Sequence, residues 1–143
     1  MSEASRDIPV LTIDGPAGAG KGTISRRVAQ ALNWAYLDSG ALYRAVGIAA
    51  AWEGIGLDEP MELAACASRT DIKFISQLLE EPIILINGKE ATADIRSELA
   101  GSMASALAAQ PEVRKALIDL QRSYRKAPGL VADGRDMGTV IFP

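Results

Sequence analysis

The sequence has no histidine and only one cysteine, Cys66. Histidine-based acid–base chemistry and histidine metal sites are therefore excluded. A single cysteine cannot close an internal disulfide, and it fits a reducing compartment. An excess of positive charge is also lacking. The net charge is −3, so no global basic field invites nucleic acid, and each arginine must act locally. No apolar run approaches membrane-spanning length, and the acidic N-terminus lacks a signal-peptide pattern. A cytoplasmic protein with no membrane partner is expected, as a monomer. What is present is 143 residues, 48% apolar and 23% charged. That is the balance of a globular domain with a substantial core.

One stretch organises the rest. Gly15, Pro16, Ala17, Gly18, Ala19, Gly20, Lys21, Gly22 and Thr23 follow an apolar run from Ile8 to Ile13. They open an amphipathic segment in which Ile24, Val28, Ala31 and Leu32 form the expected inner stripe. A buried strand feeding a glycine-rich turn feeding a helix is the setting of a phosphate-binding P-loop. Backbone N–H groups turn inward at the glycines, and with the helix N-terminus they form an anion cradle. Lys21 adds a positive charge for the outer phosphates, and Thr23 a hydroxyl near a metal ion. The match to G-x-x-x-x-G-K-[ST] is imperfect, because Gly22 holds the Ser/Thr slot and Thr23 follows it. The Gly-Lys-Gly-Thr variant resembles nucleoside monophosphate kinases more than GTPases or motor ATPases. Neither Asn-Lys-x-Asp nor Asp-x-x-Gly, which a guanine-nucleotide switch needs, occurs in the chain.

Along the chain, strands are expected at Val10–Ile13, Trp34–Leu37 and Leu130–Asp133. Helices are expected at Lys21–Asn33, from Ser39 to about Trp52 with Leu42, Val46 and Ala49 inward, and from Pro60 to about Ala67. Asp71–Ser76 alternates partly, and Ile83–Ile86, Asn87-Gly88, Lys89–Thr92 reads as a hairpin with a type I′ turn. Ser97 is placed to cap a helix with Leu99, Met103, Ala106 and Leu107 inward. Pro111 opens another, with Val113, Leu117, Leu120 and Tyr124 inward, stopped by Pro128-Gly129. The fold class is α/β: a doubly wound parallel sheet in three layers, with a small inserted antiparallel β unit. The expected divisions are 8–67 as the first part of the core, 68–96 as the insert and 97–143 as the core continued. Fewer strands are visible than such a domain usually has. The chain therefore reads as the N-terminal portion of a longer protein, with C-terminal strands and a lid absent.

Ligands of parallel sheets sit beyond the carboxyl ends of the strands. Three strands here end in chemistry: the P-loop; Asp38-Ser39-Gly40 with Tyr43 and Arg44 beyond; and Asp133-Gly134-Arg135-Asp136. Asp133 follows an apolar strand as a Walker B acid does, and can hold water around Mg²⁺ or brace its own turn. Asp14 and Asp38 share that ambiguity, and Asp14 alternatively braces the P-loop backbone. Ser39, backbone amides and Arg44 together suit a second phosphate, and Arg135 sits on a glycine-flanked loop facing the same region. Phosphoryl transfer asks mainly for alignment and charge neutralisation, which a lysine, a metal ion and arginines supply. Arg114 alone would pass for a solvated charge, and Ser105 for an ordinary helix serine.

Residues 15–23, Leu37–Arg44 and Ala132–Pro143 together resemble the bacterial cytidylate kinase family, from about Pro9 to the last residue. The second and third segments are more specific than the P-loop. The resemblance implies transfer of the γ-phosphate of ATP to CMP or dCMP, with Mg²⁺. It implies that Gly15 to Thr23 hold the ATP phosphates and that Lys21 and Arg135 serve the transfer. Ser39, Gly40, Arg44, Asp133 and Arg135 would surround CMP, and Ser105, Arg114 and Asp136 would read cytosine. Thr23 and Asp133 would serve the metal ion. The inserted β unit resembles the family's enlarged monophosphate-binding region. The family continues with further strands and an arginine-bearing lid, so little kinase activity is expected of these 143 residues alone.

Overall fold

The structure is a computed structural model and describes residues 7–15, 20–77 and 80–143. By its internal contacts the chain divides into two units. Residues up to Ser39 join Gln121–Pro143 in the first, and Gly40–Leu120 form the second.

The first unit is built on a three-stranded parallel sheet. Its strands are β1 (Val10–Asp14), β2 (Ala35–Asp38) and β6 (Leu130–Gly134), in the order β1-β6-β2. β6 is the central strand, and all five of its residues are buried, which explains its unbroken apolar start. β1 and β2 are each paired on β6 in one register: Asp14 lies opposite Gly134, and Asp38 opposite Asp133. The carboxyl ends of the three strands therefore share one edge. Helix α1 (Lys21–Leu32) packs on this sheet. Asn33 in the left-handed conformation ends it, and its N–H closes back on Ala29 and Gln30.

The face that α1 buries differs from the expected stripe. Ser25 and Ala29 are buried, whereas Ile24 is 58% and Leu32 44% exposed, and Ala31 is exposed too. Lys21 sets this rotation by reaching the end of β6. Residues 25, 28 and 29 then follow on the same face, one and two turns later. Ala29 packs with Tyr36 and Val131, and Ile13, Val28 and Trp34 cover that cluster.

The second unit holds most of α2 (Ser39–Trp52), α3 (Pro60–Arg69), α4 (Glu98–Ala108) and most of α5 (Pro111–Arg122). It also holds an antiparallel sheet in the order β3 (Ile72–Gln77), β4 (Glu80–Ile86), β5 (Lys89–Glu90). Asn87 and Gly88, with φ of 49° and 84°, make the expected type I′ turn. In α2, Leu42, Val46 and Ala49 are buried as expected. Gly47 allows α2 and α4 to touch: a Cβ there would lie 2.9 Å from Met103 Cβ. Overpacking of that kind costs about 1–3 kcal/mol.

Two helical faces are corrected. In α4, Ser97 accepts from Ala100 N at 3.1 Å, the expected cap. The stripe that follows is Ala100, Met103 and Leu107, all buried, while Leu99 is 65% exposed and Ala106 half-buried. The cap fixes the helical phase, and 100, 103 and 107 share a face where 99 does not. In α5, Val113 and Leu117 are buried and Leu120 is half-buried. The helix ends at Arg122, well before Pro128-Gly129. Two tight turns, Tyr124 N to Gln121 O and Arg125 N to Arg122 O, close it early and leave Tyr124 outside.

Candidate functional site

At the shared strand edge of the first unit, Lys21 Nζ donates to Asp133 Oδ1 at 2.5 Å. Asp133 is 1% exposed. Its other oxygen, Oδ2, accepts from the Tyr36 hydroxyl at 3.1 Å. A buried carboxylate is tolerable only with such partners. Burial, and then the negative charges of Asp38 and Asp133, push the Tyr36 phenol well above its ordinary range, so it stays a donor. Gly20 precedes α1 in the left-handed conformation, at φ 77°. No side chain caps α1, and no acidic residue lies in its first turn. Among the described residues its first N–H groups therefore meet no side-chain cap, and they lie beside a lysine, a setting that suits an anion. Gly22 lies close to Asp133, since a Cβ there would be 3.7 Å from Oδ2. Pro16, Ala17, Gly18 and Ala19 lie outside the described residues.

Asp14 has a task the sequence did not reveal. Its oxygens accept from Met137 N at 2.7 Å and Gly138 N at 3.1 Å. It braces the loop after β6. That loop is a single wide helical turn, Met137–Ile141, closed by Phe142 N to Met137 O at 2.7 Å. Turns of this width are rare and recur at functional sites. Asp136 enters it with φ 57°, a conformation that aspartate tolerates. Gly134 and Gly138 frame the loop for steric reasons. A Cβ on Gly134 would lie 2.7 Å from Ser39 Cβ, and one on Gly138 would lie 2.9 Å from Thr12 Oγ1. Arg135 and Asp136 are exposed and enter none of the ion pairs among the described residues.

Ser39 is buried at the start of α2, and its hydroxyl donates to Gln121 Oε1 at 2.8 Å. Tyr36 and Gln121 are the residues that sequence reasoning missed. Tyr36 reads as an ordinary strand aromatic, and Gln121 as a helix surface residue. Only the β1-β6-β2 order brings Tyr36 to Asp133.

In the second unit, Arg44 is exposed, with Nη1 donating to Ile95 O at 3.4 Å. Its guanidinium lies beside Gly101, where a Cβ would be 3.6 Å from Nη2. Ser105, one turn on, donates to Gly101 O at 3.2 Å. Gly40 and Arg114 are exposed. Arg114 is near enough to Tyr43 to offset part of the rise that burial imposes on that phenol. Arg44 and the Gly101–Ser105 turn are thus brought together on α2 and α4.

A Mg²⁺ ion suits the donor set at the P-loop end. Mg²⁺ prefers one or two protein oxygens plus substrate phosphates and water. The Asp133 carboxylate and the exposed Thr23 hydroxyl are oxygens of that kind. Among the described residues no cluster of three acidic or cysteine ligands exists that would cage a metal alone.

The family model described as cytidylate kinase matches residues 11–143. The chain belongs to the cytidylate kinase family. A curated relative, the cytidylate kinase of Nitrosococcus oceani, is 51% identical over 140 residues. The match covers 97% of this chain and 62% of that relative's length. No helix among the described residues is long and apolar enough to cross a membrane.

Proposed function

We propose that the protein is an ATP-dependent nucleoside monophosphate kinase that transfers the γ-phosphate of ATP to CMP or dCMP. The observation that carries this is the Lys21–Asp133 pair at the strand edge that also delivers Arg135 and Asp136. A lysine held by a buried carboxylate is aimed before substrate arrives, so little ordering cost remains at the reacting step.

In this reading Lys21 keeps one N–H on Asp133 and offers its other donors to the outer phosphates of ATP, which also contact N–H groups of α1. Thr23 and Asp133 would hold Mg²⁺, which when bound neutralises phosphate charge. Ser39, Gly40 and Arg44 take the acceptor phosphate, and Arg135 neutralises charge on the moving group. Asp136 accepts from the cytosine amino group, while Arg114 and Ser105 donate to the ring acceptors. The insert at 68–96 serves the acceptor nucleotide. The protein works as a cytoplasmic monomer on free nucleotides.

Turnover of CMP, dCMP, UMP and AMP by the full-length protein, with and without Asp136→Ala, tests the reading. CMP and dCMP should be preferred, and the variant should lose that preference by about tenfold or more while its KM for ATP stays within about twofold. Equal loss on both substrates, or a native preference for AMP, would refute it.

A further inference from the structure

Gln121 is 1% exposed near the end of α5, and Ser39 is 9% exposed. The Ser39 hydroxyl donates to Gln121 Oε1, while Gln121 Nε2 is enclosed with no hydrogen-bond partner among the described residues. A buried amide with an unpaired donor is destabilising and calls for a reason. The neighbourhood is otherwise tightly held. Arg122, the next residue, donates to Ile141 O at 3.0 Å and Val140 O at 3.3 Å. On the far side Ser39 meets Gly134, where there is no room even for a methyl group. Ser39 has little room to shift towards Gly134, whereas its hydroxyl and the Gln121 amide can each rotate in place.

Those rotations matter because a serine hydroxyl carries one proton. While that proton points at Gln121 Oε1, Ser39 cannot donate to a phosphate oxygen. If the amide turns over, Nε2 donates to Ser39 Oγ and the hydroxyl proton is released towards an acceptor. The amide's O and NH₂ are nearly equal in size, so the exchange needs no repacking. The unpaired Nε2 donor is then the group that becomes useful once a nucleotide binds.

We propose that Gln121 is a positioning residue whose side-chain amide turns over when the acceptor nucleotide binds, directing the Ser39 hydroxyl at its monophosphate. This rests on the reading of Ser39 as a phosphate ligand given above. Gln121 itself touches no substrate, and its effect passes entirely through Ser39.

The test is a double-mutant cycle in the full-length protein on KM for CMP, KM for ATP and thermal midpoint, using Ser39→Ala, Gln121→Met and both. Ser39→Ala should raise KM for CMP about tenfold, the loss of one hydrogen bond to a charged group. Gln121→Met should raise it about threefold to tenfold with KM for ATP unchanged. The double variant should be no worse than Ser39→Ala. Gln121→Met removes an unpaired donor but also the acceptor of the Ser39 hydroxyl, so the midpoint serves only to show that the variant is folded. The Gln121 side-chain amide resonances should shift with saturating CMP, and should not shift in Ser39→Ala; this readout needs no change at Gln121. If Ser39→Ala leaves KM for CMP unchanged, the Ser39 reading fails and the proposal with it. If Ser39→Ala acts but Gln121→Met does not, or the two effects multiply, or the amide resonances stay still, the Ser39 reading stands and Gln121 has no positioning role.

Discussion

The two units hold their chemically promising side chains in opposite ways. In the first, the partners are distant in sequence: Lys21 and Tyr36 meet on the buried carboxylate of Asp133, and exposed Asp14 holds the amides of Met137 and Gly138. In the second, Arg44 reaches a backbone carbonyl, Ser105 bonds within its own helix, and Arg114 lies exposed. A phosphate-gripping lysine works best when it is aimed in advance, and long-range pairing at a strand edge does that. Groups that read a base must be free to meet it, and exposed helix surfaces leave them so.

The largest effect that would sharpen this contrast is at Lys21. Lys21→Met should lower kcat/KM by about 10²–10³ in steady-state assays, as removal of one preorganised charge does. It also leaves Asp133 buried beside only a phenol. Urea denaturation should therefore show a loss of about 3 kcal/mol. An exposed arginine such as Arg114, replaced by alanine, should cost less than about 0.5 kcal/mol in the same assay. Equal stability losses at the two positions would erase the distinction between the units.

A smaller effect belongs to Ser97. Ser97→Ala should destabilise the protein by about 1 kcal/mol through loss of the α4 cap, seen in urea midpoints. It should leave KM for ATP unchanged, since the ATP phosphates are assigned to the first unit.

A further effect, confined to alkaline pH, is a pH dependence. Cys66 is buried, and burial first, then its hydrogen bond to Glu53, push its thiol up to about 11. An unfolded cysteine titrates at about 8.5. Above that, the unfolded chain binds fewer protons than the folded one, so stability falls as pH rises towards 11. Cys66→Ala should flatten that part of the stability–pH curve. The same burial should keep Cys66 slow towards thiol reagents at pH 8 until the protein unfolds.

Much of this was legible in the residues. The three parallel strands announced themselves as apolar runs ending in Asp14, Asp38 and Asp133, and Asn87-Gly88 announced its turn. Ser97 announced its cap. What was hidden depends on packing between distant segments. Nothing local distinguishes Leu99, which is exposed, from Leu107, which is buried; the phase set by the cap decides. The inner face of α1 follows from the reach of Lys21, not from its most apolar stripe. Tyr36 and Gln121 acquire meaning only from partners 97 and 82 residues away in sequence. The order β1-β6-β2, which sets the Tyr36 pairing, leaves no mark in a single sequence.

The central claim is that the two nucleotides are recognised by separate groups, Lys21 for ATP and Ser39 with Arg44 for CMP. Calorimetric titration of the full-length protein with ATP and with CMP, each alone, tests it most directly when repeated on Lys21→Met. The account predicts that the variant loses about tenfold or more in ATP affinity and keeps CMP affinity within about twofold. Parallel loss of both affinities, or undiminished ATP binding without Lys21, would contradict it.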